Sequence, residues 1–301
     1  MPTGESPLVA RRRVRQAVRE ARERLGHTQG DVAEAMEWSL SKVIRIENGD
    51  VSISPNDLRP LLAYLGVDDR AVVDDLVRAT RTARERRAPW WHEPEFRGIT
   101  PSMGKLIEAE NAAQVSWAFN PTMVPGRLQV LDYAQAVLAN YSEELTPDEI
   151  HARQEARIRR RDAFLKSTAR MNVLIDESVL YRTIGSPPDV LRGQLDEIVR
   201  LIERRRVRAR VIPLNFDGPL VTFGMFELFY LAGDDDPAHA VLYSEDWTMD
   251  QVVEDPVRIA RHRAKLDQLW DMALSDEDSL ELIRTRSKEL ATTSSARPRQ
   301  R

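Results

Sequence analysis

The sequence predicts a mainly α protein with a C-terminal α/β part, arranged as two domains. Three observations predict it. The chain has 301 residues, more than one small core usually holds. Apolar stripes of helical period crowd its first ninety residues, and from Met171 onward short runs rich in Val, Ile, Phe and Tyr appear between Gly, Pro and Asp clusters.

The first helix is written by Val14, Ala17, Val18, Ala21 and Leu25, with Arg12, Arg15, Arg19 and Arg22 on its other faces and Gly26 as its end. Thr28, with Asp31 three positions on, caps a second helix whose inward residues are Val32, Ala33 and Met36. Ser39 caps a third, in which Val43 and Ile46 face inward, and Asn48-Gly49 supplies a left-handed stop. Ser54, Pro55 and Asp57 open a fourth, with Leu58, Leu61, Leu62 and Leu65 on its buried edge. Val72, Val73, Leu76 and Val77 predict a fifth, running into an Arg-rich linker helix at 81–90.

A second domain is expected over 91–290. Helical patterns occupy Met103–Ala118, Leu131–Tyr141 and Pro147–Lys166. Strands are expected at Met171–Ile175, Ala209–Leu214, Phe223–Leu231 and Ala240–Tyr243, which make a small sheet. A helix at Pro188–Arg204 turns the first two strands into a βαβ crossover. Helices near Pro256–Ala273 and Asp276–Leu290 follow, and the polar tail 291–301 reads as disordered.

Composition narrows the function classes. No apolar run approaches the roughly 18 residues of a membrane span, and the start lacks a secretory apolar core. Without cysteine there are no disulfides, thiolate nucleophiles or cysteine-based zinc sites, in keeping with a reducing cytoplasm. Net charge is −4 overall, but residues 1–90 carry 16 Lys and Arg against 14 Asp and Glu. Only five of the cations are lysine, a bias that lowers the weight of any Arg cluster, including Arg78 to Arg87, which reads as a solvated helix before it reads as a phosphate site.

Thr28-Gln29, Ala33, Met36, Val43 and the run Arg45-Ile46-Glu47-Asn48-Gly49 agree at several spacings at once. Over residues 9–80 this pattern resembles the Xre/Cro-type helix-turn-helix regulators, which implies a five-helix lambda-repressor-like bundle that binds double-stranded DNA. The physical reading agrees: a small Ala33 lets two helices approach, and Val43 and Ile46 anchor the second so that its other face meets a major groove about 12 Å wide. The resemblance implies DNA contacts from Gln29, Ser39, Leu40, Ser41, Lys42 and Arg45. Arg45 suits guanine O6 and N7 and Leu40 a thymine methyl, while Gln29, Ser39 and Lys42 suit phosphates. Glu47 is expected to pair with an Arg of the first helix. One such module neutralises few phosphates, so a homodimer reading half-sites about 34 Å apart is expected.

From Asn120-Pro121 through Val124-Pro125-Gly126-Arg127-Leu128-Gln129, then Asp176-Glu177, Val211-Ile212-Pro213, Phe226-Glu227-Leu228 and Val241-Leu242-Tyr243-Ser244-Glu245, the chain resembles the WhiJ-like regulators of actinobacteria, some of them antitoxin-like. Arg127 departs from that pattern, which has Leu. The resemblance implies that a small partner protein often accompanies such a regulator, and a small-molecule effector on this domain is the other expectation. Candidate contacts are Arg127, Arg157, Glu177 and Glu245. Arg153, Arg157 and Arg161 share a helical face suited to an acidic ligand or to ordinary ion pairs. Asp176-Glu177 and Glu245-Asp246 follow strands, where paired carboxylates serve acid–base work or merely cap helices. Trp90, Trp91 and Trp117 line a pocket or build core. The five histidines have no metal-ligand spacing, and no cofactor or enzyme activity is expected. The alternative is a catalytic domain targeted to DNA. The expected location is cytoplasmic and nucleoid-associated.

Overall fold

In the computed structural model, which describes residues 6–49, 51–84, 90–218, 224–232, 234–245 and 249–295, each N-terminal helix begins at a capping side chain. Ser6 caps α1 (Pro7–Arg24), Thr28 caps α2 (Gln29–Ala35), Ser39 caps α3 (Leu40–Glu47) and Ser54 caps α4 (Pro55–Tyr64). Asp69 accepts from the first amides of α5 (Arg70–Arg84). Each hydroxyl or carboxylate satisfies a backbone N–H that the helix itself leaves open. The cap expected at Thr28 is a full box, because Asp31 Oδ2 accepts from the Thr28 amide at 2.7 Å.

These five helices form the first of two compact units, Met1–Pro89, and enclose one apolar core. Leu58, Leu61, Leu62 and Leu65 are all within 1% of complete burial. Burying each stabilises the unit by about 1.5–3 kcal/mol. Val14, Val18 and Ala21 of α1 join them, but Leu25 does not; it follows the last residue of α1 and is 46% exposed. Arg12 and Arg22, assigned by periodicity to other faces, are instead buried. Val72 is exposed, leaving Leu76 and Val77 to anchor α5. Residues 81–84 of the expected linker helix are the last turn of α5, and 85–89 lie outside the described residues.

The second unit, Trp90–Arg301, is a six-stranded mixed sheet with helices on both faces. Its helices are α6 (Pro101–Ala112), α7 (Leu131–Ala139), α8 (Pro147–Lys166), α9 (Pro188–Glu203), α10 (Pro256–Met272) and α11 (Asp276–Ser295). Its strands are β1 (Val115–Asn120), β2 (Arg170–Asp176), β3 (Val207–Ile212), β4 (Met225–Tyr230), β5 (Ala240–Glu245) and β6 (Asp250–Val253), in the order β3-β2-β1-β4-β5-β6. The first three pair in parallel and the last three antiparallel, with β1 at the border. β2, α9 and β3 make the expected βαβ crossover.

Two corrections concern strands. The helix expected over Met103–Ala118 ends at Ala112, and Val115–Asn120 is a strand buried between two neighbours. β6 has no counterpart among the expected strands. Phe223 and residues 296–301 lie outside the described residues, while 291–295, expected to be tail, continue α11.

Alternation divides the core. Ala118, Val173 and Ile175 face one side, where α7, α8, α9 and α11 pack. Phe119, Leu174, Phe226, Leu228 and Tyr230 face the other, against α10.

Candidate functional site

The turn between α2 and α3 is short and strongly bonded. The Trp38 amide donates to the Ala33 carbonyl at 2.8 Å, with Glu37 left-handed at φ 55°. Val32, Ala33, Val43 and Ile46 are buried together, which fixes α3 against α2. The opposite face of α3 is then set by the helical period: Ser39, Leu40, Ser41 and Arg45 are exposed, Leu40 at 50%. Among the described residues, no hydrogen bond or ion pair engages the Arg45 guanidinium. A protruding apolar side chain and an exposed guanidinium on one helix face suit base edges in a groove.

Lys42 and Gln29, both expected at phosphates, have partners inside the protein. Lys42 Nζ sits 3.7 Å from the Trp38 ring centroid and 3.4 Å from Asp57 Oδ2. Gln29 Nε2 donates to Glu47 Oε2 at 2.9 Å.

Glu47 is the hub of this unit. Its side chain, 3% exposed, accepts from Arg22 Nε at 2.6 Å and from Arg22 Nη2 at 2.9 Å. The expected pairing with an Arg of the first helix is therefore made by Arg22. Its guanidinium also donates to the His27 carbonyl, and the bond to Glu47 raises its pKa against the desolvation that lowers it. Sequence periodicity gave no sign that Gln29 joins this junction, since the three partners come from three different helices.

Gly49 ends α3 at φ +79°, where a Cβ would lie 2.4 Å from Arg15 Nη1. Gly49→Ala is expected to destabilise the unit by about 1–2 kcal/mol, the cost of left-handed backbone, since Arg15 can move aside. Urea unfolding checks this; a loss below a few tenths would show that the turn adjusts freely.

The C-terminal candidates fall in three places. Arg127 is 2% exposed and lies inside the protein, between Glu110 and Glu227 at 3.2 and 3.0 Å. It is thus a core ion rather than a surface contact for a ligand or partner. Arg160 forms two further bonds to Glu110, at 2.8 and 2.6 Å. Glu177 accepts from the Leu214 amide and from the Tyr181 hydroxyl, and Asp176 caps the turn after β2, so these carboxylates are held by neighbouring backbone and side chains. Arg157 and Glu245, by contrast, line one cavity, together with Arg153. Arg161 does not line it and pairs with Glu197. Trp117 stacks edge-on with Trp270 and Trp90 with Phe96, as core aromatics do.

Among the described residues, no group of three or more His, Asp or Glu side chains is placed to hold a metal ion, and no helix is long and apolar enough to cross a membrane.

Residues 103–285 match the family model described as "Domain of unknown function (DUF5753)", and residues 13–76 match one described as "Helix-turn-helix domain". No curated protein and no solved structure matches the chain. The N-terminal unit is thus a helix-turn-helix domain of the DNA-binding kind.

Proposed function

Because the chain belongs to the DUF5753 family and carries a helix-turn-helix ahead of that domain, we propose that it is a sequence-specific transcription regulator whose C-terminal domain receives a signal. It acts by binding rather than by catalysis, in the cytoplasm and on the nucleoid. The observation that carries the reading is the outward face of α3, where Leu40, Ser41 and Arg45 project together while Val43 and Ile46 anchor the helix behind them.

In this reading Arg45 reads a guanine, Leu40 touches a thymine methyl, Ser41 faces the bases beside them, and Ser39 approaches a phosphate. Lys42 reaches phosphate only by leaving Asp57, and Gln29 orders the α2 start through Glu47. Two copies are needed for useful affinity, so the protein works as a homodimer on half-sites about 34 Å apart or a multiple of that. The signal is a small molecule or a small partner protein bound by the C-terminal domain. For either to act, it must bind two arrangements of the dimer unequally.

Genome-wide footprinting of the purified protein tests this, followed by titration on the recovered operator at two salt concentrations. Arg45→Ala is expected to weaken specific binding by about 1–3 kcal/mol and relax one base position. Footprints without a shared motif, or an Arg45→Ala loss equal on every sequence, would refute the assignment.

A further inference from the structure

We infer that the cavity between α8 and the antiparallel half of the sheet receives a small organic carboxylate that also carries an amino or hydroxyl group. The cavity measures about 130 Å³, similar to the roughly 150 Å³ that admits a benzene-sized molecule. Its place in the topology favours a ligand. It reaches the end of β1 at Asn120, where the sheet order turns from β2 and β3 on one side to β4, β5 and β6 on the other. Open α/β sheets bind ligands at such switch points.

Charge decides what enters. Arg127 and Arg160 are matched by Glu110 and Glu227 in a closed buried network. Arg153 and Arg157 are not matched, for neither forms an ion pair with a described carboxylate. Arg157 Nε is buried without a partner, and Nη1 reaches only the Arg153 carbonyl of its own helix, at 3.4 Å. Burial, and then the nearby Arg160, push this guanidinium down to about 10. A half-buried cation with no ion-pair partner among the described residues is costly, and the guanidinium fork fits the two oxygens of a carboxylate.

The facing wall has the opposite sign. Glu245 and Asp250 are direct partners in the β5–β6 register, a repulsive pairing of like charges. Among the described residues, the side chain of each accepts only a neutral hydroxyl, from Tyr243 and from Thr100, both at 3.1 Å. Glu245 acts on Arg157 through space without forming an ion pair, so a cationic wall faces an acidic one, and together they select a molecule that carries both an anion and a donor. Met103, Leu106 and Met123 offer apolar surface to its hydrocarbon part.

This gives the signal of the proposed regulator a chemical class; it rests on that proposal for the effect on DNA, and on the cavity alone for binding. Calorimetric titration of the full chain without DNA tests it, with L-valine, isovalerate and isobutylamine as probes. The expected order is L-valine tightest, isovalerate about tenfold weaker for want of its donor, and isobutylamine without binding. Arg157→Gln is expected to weaken both carboxylates by about tenfold or more, whereas Arg192→Gln, at an exposed pair on α9, leaves them unchanged. Glu245→Gln is expected to weaken L-valine and spare isovalerate. No carboxylate binding, equal binding of the amine, or native affinity in Arg157→Gln overturns the inference. Should Arg157→Gln fail to fold, the Glu245→Gln comparison decides alone: equal effects on both carboxylates, or none on either, overturn it. Carboxylate binding that leaves operator affinity unchanged upholds the cavity and overturns its control of DNA.

Discussion

Glu47→Ala is expected to destabilise the N-terminal unit by about 3–5 kcal/mol, the usual cost of removing one partner from a buried ion pair. The Arg22 and Glu47 side chains are 11% and 3% exposed, so solvent does little to screen them. The substitution leaves the Arg22 guanidinium with the His27 carbonyl and, at 3.5 Å, the half-exposed Glu23 carboxylate as its remaining acceptors, and it removes the acceptor of Gln29 Nε2. Its effect reaches function, because Glu47 ties α3 to α1 and to the start of α2 while α3 carries Arg45. Operator affinity is expected to fall with stability, and Glu47→Gln, which keeps an acceptor without the charge, to fall between. Native-state hydrogen exchange of the α1 to α5 amides measures the loss in this unit directly. A change below 1 kcal/mol would show that Arg22 escapes to water.

The second large effect belongs to Arg127. Arg127→Met is expected to destabilise the C-terminal unit by about 3–5 kcal/mol, since Glu227, itself 5% exposed, loses the ion-pair partner it has among the described residues. The deficit depends on pH, with a definite sign. Burial pushes the Glu227 carboxyl above its ordinary range, and Arg127 opposes that shift. With the guanidinium gone the native carboxyl rises further, so it is protonated at mildly acid pH and burial then costs little. As pH climbs through the folded value, ionising Glu227 costs the native state more than the unfolded one. The deficit is therefore smaller at pH 5 than at pH 8, as denaturant unfolding at both values reads. Arg127→Met with Glu227→Leu is expected to recover most of the loss, because a well-packed apolar pair replaces buried ions without penalty. A pH-independent deficit would mean that Glu110 and Arg160 rearrange to take up the charge.

What the sequence made legible was local. Thr28, Ser39 and Ser54 mark helix starts because a cap reaches only three residues along the chain, and the outward residues of α3 follow from the period that buries Val43 and Ile46. What depends on distant partners was not. β1 is written in Val, Trp and Phe, yet it continues the apolar pattern of α6; only its pairing with 170–175 and 226–230 makes it a strand. Arg22 looks like a surface cation on a helical wheel until Glu47 arrives from α3. Arg127 looked available for the same reason, with Glu110 and Glu227 supplied by another helix and another strand. The cavity was half visible: Arg153 and Arg157 were grouped correctly, but Arg161 turns away to Glu197, and Asp250 was not foreseen beside Glu245.

The position of β1 governs the order in which the molecule is made. The N-terminal unit has all its helices within residues 7–84, with α5 closing back on α1, so it can fold before the second unit is synthesised. The central strand emerges next but waits for Met225–Tyr230 before its second edge is covered. Throughout that interval a nascent chain presents Trp117 and Phe119 on an open, sticky rim, the kind that recruits chaperones or a neighbouring polypeptide. A premature stop ahead of β4 would thus release a finished DNA reader tethered to an aggregation seed.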